Sequence, residues 1–178
     1  MFKKLFAVAA LFLLLTGCAG LGFFQDREEK YGKSIPVITQ SFASQQMRPG
    51  DTWKIYIKAS DPDGDMKNLY AEIFQPGMGS YPLSITRIKE VNGKDLSGFF
   101  YLNTGHEQSL HFVNLILTVH IQDKAGHFVK PAVFPLAFNS AAVQQAPPAG
   151  VFQEKDLGPI MVTIRSADND GGKSDGFL

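Results

Sequence analysis

Val113, Leu115, Leu117, Val119 and Ile121 occupy every second position of one stretch, with Asn114, Ile116, Thr118 and His120 between them. A repeat of two suits an extended strand with one buried face, because helical apolar positions recur every three or four residues instead. The alternation returns in Trp53, Ile55, Ile57 and Ala59, set against Lys54 and Lys58, and in Leu69, Ala71 and Ile73, set against Glu72. Leu83 and Ile85 begin a strand expected to run to Val91. Asn92-Gly93 then predicts a type I′ hairpin turn, whose two central residues take positive φ, before a return strand with Leu96, Gly98, Phe100 and Leu102. Asp123-Lys124-Ala125-Gly126 turns the longest strand into a last one, Phe128 to Phe138. Pro131 and Pro135 share a parity there, and two missing N–H groups on one side place that strand at a sheet edge. With an opening strand near Ile35 to Phe42, the reading is seven antiparallel strands over residues 35–139 and no helix in the body of the chain.

About seven short strands in roughly 100 residues, with turn signals between them, predict an all-β sandwich of immunoglobulin type. The stretches SDPDGDMKNL and LTVHIQDKAGH resemble the B–C turn and F–G hairpin of bacterial immunoglobulin-like, PKD-like and cadherin-like domains. The resemblance covers residues 35–139 and implies the architecture, not a function, since this fold carries many. Residues 140–178 read as a linker rich in Ala, Gln and Pro, an extra strand at about 157–166 and a flexible tail. Ile160, Val162 and Ile164 share one face of that strand, which is too much apolar surface to leave in water. It is expected to dock, by preference along a free sheet edge, where its backbone also finds partners.

The N-terminus gives an address. Lys3 and Lys4 precede an uninterrupted apolar run, Leu5 to Leu15. Eleven residues are too few to span a bilayer core, which needs about 20, but they suit the core of a secretory signal. The run ends in Leu15-Thr16-Gly17-Cys18, which resembles the lipobox of bacterial lipoproteins. That resemblance implies a signal peptide at 1–17, cleavage before Cys18, and diacylglycerol on the Cys18 sulfur with acylation, such as palmitate, on its amine. Cys18 is the only cysteine, and lipidation would consume it. Residues 18–34 then read as a tether. Ala19 after the cysteine implies the outer membrane if the cell is Gram-negative. The mature chain would have 15 Lys and Arg against 17 Asp and Glu, so no basic field draws it to nucleic acid.

Three groups of residues are candidates for function. Asp61, Asp63 and Asp65 put carboxylates at alternate positions, which suits a hard cation. An EF-hand fails, because Met66 stands at the glycine position and Glu72 lies about 13 Å along an extended strand. In a sandwich of this type the B–C and F–G loops share a pole, so Asp61, Asp63, Asp65 and Asp123 are the calcium candidate, weighed against an ordinary Asp/Pro/Gly turn. The histidines, His120 and His127 among them, read as surface polar residues. The third group is apolar. By parity Tyr70, Glu72, Phe74, Phe112, Asn114, Ile116, Thr118, His120, Val129 and Val133 point outward from strands C, F and G. That exterior should be covered by the C-terminal segment or by a partner, with Tyr70, Phe74, Phe112 and Ile116 as the contact residues. No nucleophile elbow, phosphate loop or zincin motif is present, so no enzyme and no cofactor other than calcium is expected. The reading is a lipid-anchored envelope protein with a binding or scaffolding module, whose partners are the membrane and an envelope protein. The alternative is a calcium-assisted adhesion or carbohydrate-binding module, with a hydrolytic enzyme as the minor alternative.

Overall fold

The computed structural model describes residues 19–105 and 110–165. Residues 1–17, expected to be a signal peptide, lie outside the described residues, as do Cys18, His106 and the residues from Ser166 onward. Helix α1 spans Ala19–Tyr31, and the strands are β1 (Val37–Ala43), β2 (Gln46–Met47), β3 (Thr52–Ser60), β4 (Met66–Gln75), β5 (Gly79–Ser80), β6 (Ser84–Arg87), β7 (Asp95–Asn103), β8 (Asn114–Asp123), β9 (Ala132–Phe138) and β10 (Asp156–Pro159).

The strands make two sheets. One runs β1-β3-β7-β10, and the other runs β2-β9-β8-β4-β5, with β6 also on β4. The order β1-β3-β7 matches strands A, B and E of the immunoglobulin arrangement, and β9-β8-β4 matches G, F and C. β3 and β7 pair from Thr52 opposite Asn103 to Ser60 opposite Asp95. β4 and β8 pair from Met66 opposite Asp123 to Phe74 opposite Ile116. The alternating residues of these four strands meet between the sheets: Trp53, Ile55, Ile57, Leu69, Ile73, Phe100, Leu102, Leu117, Val119 and Ile121 are all buried. The Trp53 indole N–H donates to the Ser44 carbonyl at 2.8 Å, so the one polar atom of this large side chain is satisfied inside the core. The chain is an all-β immunoglobulin-like sandwich.

Several local expectations are corrected. The tether contains a helix, although no helical period marks it; the helix is held by contacts to the pole, described below. Asn92-Gly93 makes no hairpin. Gly93 has φ −64°, and residues Glu90–Asn92 form a 3₁₀ turn. β6 belongs to one sheet and β7 to the other, so this connection crosses the sandwich and a tight I′ turn would join the wrong strands. The strand from Leu83 stops at Arg87, and the last strand starts at Ala132, not Phe128. Phe128 makes only an isolated bridge to Gln122. Because Val129 precedes β9, strand parity does not govern it, and it is buried where alternation would expose it.

The segment after Asn139 returns to the β1-β3-β7 sheet. Phe152 packs on Tyr56 with ring centroids 5.5 Å apart, and the Glu154 carboxylate accepts from the Tyr56 hydroxyl at 2.8 Å. The Lys155 carbonyl accepts the Phe99 N–H at 2.9 Å, over Gly98, where any side chain would collide with that carbonyl. β10 then adds to β7 in parallel. Beyond it, the Met161 N–H donates to the Ser84 hydroxyl, and the Arg165 N–H donates to the Tyr81 hydroxyl. The strap thus crosses from the edge of one sheet to the other. Ile160 and Ile164 are buried in the core, and Val162 packs against it.

Candidate functional site

Two surfaces merit description: the pole that carries the acidic turn, and the outer face of β4, β8 and β9.

At the pole, the turn between β3 and β4 meets the hairpin between β8 and β9. Asp61, Asp65 and Asp123 are buried, at 1%, 6% and 1% exposure. Their oxygens are occupied by donors. Asp61 accepts the backbone N–H groups of Asp63 and Asp65, each at 3.2 Å. Asp65 accepts the Lys124 N–H at 3.0 Å. Asp123 accepts the N–H groups of Gly126 at 2.6 Å and His127 at 2.8 Å. Asp63 stands apart, with its carboxylate accepting the Ser34 N–H at 2.7 Å. The pole therefore brings Asp61 and Asp65 together, sets Asp123 on the adjoining hairpin, and turns Asp63 toward the N-terminal segment. Among the described residues, no three His, Cys, Asp or Glu side chains are arranged to hold a metal ion. Burial, with a hydrogen bond that the protonated Asp61 carboxyl donates to the Asp65 side chain, pushes the Asp61 carboxyl up to about 6. The neighbouring Asp65 carboxylate adds to the cost of ionising Asp61.

His127, a surface residue by sequence, is not one in the structure. Its side chain is only 11% exposed, and it is the hub of the pole. Nδ1 lies 2.7 Å from the Asp123 carboxylate, and Nε2 lies 3.1 Å from Glu28 of α1. A neutral imidazole has one N–H, but two carboxylates face this ring, so the imidazolium is the form that satisfies both. Burial works against that charge; the hydrogen bonds and charges of Glu28 and Asp123 outweigh it and hold the pKa above the usual 6.5. Phe24 stands edge-on to the ring at 5.5 Å. Arg27 donates through Nε and Nη2 to the Lys124 carbonyl at 3.1 and 2.7 Å. Helix α1 ends at Gly32, which takes φ +110° and donates to the Glu28 carbonyl at 2.9 Å. That left-handed close is a helix C-terminal cap suited to glycine, and a Cβ there would overlap the Asp63 carboxylate. The sequence signals for this docking are modest: Asp123 and His127 four apart, and Arg27-Glu28 inside a charged run.

The second surface is apolar. Phe74 lies opposite Ile116, Ile116 opposite Pro135 and Thr118 opposite Val133, and Tyr70 opposite Ile85. Phe74, Ile116 and Val133 are 41%, 39% and 57% exposed. Tyr70 is half-buried; its hydroxyl donates to Gln122 at 2.8 Å and its ring lies 5.8 Å from Phe128. Phe112 is 91% exposed at φ +66°, just before β8, so it sits beyond the end of this face. Tyr70, Phe74 and Ile116 thus share the sheet face, and Phe112 borders it. The strap follows the β7 edge and then the β6 side of the other sheet, so among the described residues it leaves this face uncovered. Among the described residues no helix is long and apolar enough to cross a membrane.

No family model matches the chain, and no curated protein matches it. Two of the solved structures that resemble it are these. The PKD domain of an M14-like peptidase from a Thermoplasmatales archaeon is 14% identical, with a TM-score of 0.39, covering 60% of this chain and 96% of that one. A CARDB domain from Pyrococcus furiosus, solved in complex with di-metal ions, is 5% identical, with a TM-score of 0.32, covering 60% of this chain and 88% of that one.

Proposed function

We propose that this protein is a lipid-anchored component of the bacterial cell envelope whose sandwich binds or scaffolds a protein partner and performs no chemistry. The observation that carries the binding role is the uncovered apolar face of β4, β8 and β9. Among the described residues, Phe74, Ile116 and Val133 stand on paired strands with their side chains largely in water, and the strap through Arg165 lies elsewhere. Contiguous exposed apolar surface on a soluble domain marks a contact. The anchor rests on the lipobox ending in Cys18 after an apolar run. A photoreactive residue at Ile116, irradiated in intact cells, is expected to give a discrete adduct that the same residue at Lys58, on the other sheet, does not give. Adducts of equal yield and identity from both positions would overturn the assignment of the face. Independently, labelled fatty acid should enter the wild-type chain and not the Cys18→Ser variant; equal label in both would overturn the anchor.

A further inference from the structure

The space between α1 and the sandwich is a cleft of about 650 Å³ with a consistent charge. Arg27 and Lys30 from α1, Lys67 from β4, Arg87 at the end of β6 and Lys124 from the β8–β9 hairpin all line it, against two carboxylates, Asp26 and Glu90. The chain as a whole is balanced, with 17 Lys and Arg against 17 Asp and Glu, so the cluster is a local concentration and not a reflection of overall basicity. Glu90 pairs with Lys124 at 3.6 Å. Among the described residues, Arg27, Lys30, Lys67 and Arg87 have no carboxylate within 4.0 Å. The bond from Arg27 to the Lys124 carbonyl fixes its guanidinium at this wall without neutralising it. Gathered like charges oppose folding by mutual repulsion, and an anion in the cleft would relieve that repulsion.

We propose that this cleft docks the phosphate headgroups of an anionic bilayer, holding the sandwich against the membrane in which the chain is anchored. The inference rests on the lipid-anchor reading above. Charge complementarity favours it, and so does position. Helix α1 begins at Ala19, the residue after the anchor, and rises about 1.5 Å per residue, so Asp26 to Lys30 lie roughly 10–17 Å from it along the axis. A membrane surface potential fades over about one Debye length, some 8–10 Å, so the docked state has α1 lying along the headgroups rather than upright on the anchor, which brings its basic residues within that range.

The test uses the full-length chain in bilayer discs of phosphatidylcholine alone or mixed with phosphatidylglycerol, with lysine acylation read by mass spectrometry. Reactivity of Lys30, Lys67 and Lys124 is expected to fall about threefold or more in the anionic discs at low salt and to recover at high salt, while Lys58 reacts alike in both. The Lys67→Gln/Arg87→Gln variant should lose most of the protection at Lys30. Equal reactivity in the two kinds of disc would overturn the proposal. So would equal protection by inorganic phosphate in neutral discs, which would assign the cleft to a soluble phosphate. Co-elution with the discs reports the anchor by itself. If the chain does not co-elute, vesicles of the two compositions added to it give the same comparison, so the two readings fail by different results.

Discussion

His127 sits between two carboxylates from different parts of the chain, and the charge it must carry makes the pole pH-dependent. Its folded pKa is raised, so it contributes stability that is present below 6.5 and lost as pH rises through the folded value. Asp61 acts with the same sign. Its carboxyl is raised from 3.8 to about 6, so the fold holds a proton that the unfolded chain releases, and stability falls across that window. Thermal melts should therefore show a higher Tm near pH 5 than near pH 8; a flat or rising profile would contradict both assignments. Asp65→Asn lets an amide donate to Asp61 while its oxygen keeps the Lys124 N–H. It should stabilise the fold by about 1 kcal/mol at neutral pH and flatten, without abolishing, the slope below pH 6, because the burial of Asp61 remains. His127→Gln should remove the part above. Calcium competes poorly with five backbone N–H groups that already occupy these carboxylates. Calorimetry should find no calcium binding tighter than about 10⁻⁴ M. At this scale the sequence shows the acidic turn, because Asp, Pro and Gly cluster visibly. It does not show what the turn is bonded to, because Glu28 and His127 lie 99 positions apart.

Elements differ in how far their own residues explain them. β3 and β8 follow from alternation alone, since Trp53, Ile55, Leu117 and Val119 each bury the face that parity assigns. Helix α1 does not follow from its own pattern. It has no apolar stripe, and Arg27, Glu28 and Gly32 hold it from outside. Gly32→Ala should therefore undock α1 without unfolding the sandwich: amide exchange is expected to rise in residues 24–31 and to stay unchanged in β8. A loss of protection throughout would show instead that α1 belongs to the cooperative core. The strap is the opposite case. Ile160 and Ile164 complete the core, so Ile160→Ala and Ile164→Ala should each cost about 2–5 kcal/mol in chemical denaturation. Costs near zero would mean that the strap is peripheral.

The whole molecule is legible as a class and less so as an assembly. Alternation, strand count and the two turn stretches are enough for a two-sheet sandwich, because strand parity is a local property. The crossing at Asn92-Gly93 is not legible, because which sheet a strand joins depends on partners such as β4 for β6. The uncovered face follows from two facts read together: Phe74 and Ile116 point outward, and the described part of the strap keeps to the β7 and β6 edges. That combination is the basis for the proposal that the molecule is a binding module. Radical oxidation of the protein in intact cell envelopes, compared with the purified full-length chain, tests it most directly. The account expects Phe74 and Ile116 to be protected about threefold or more in envelopes and to become reactive on purification, with Phe42 on the other sheet unchanged. Equal oxidation of Phe74 and Ile116 in the two preparations would contradict it.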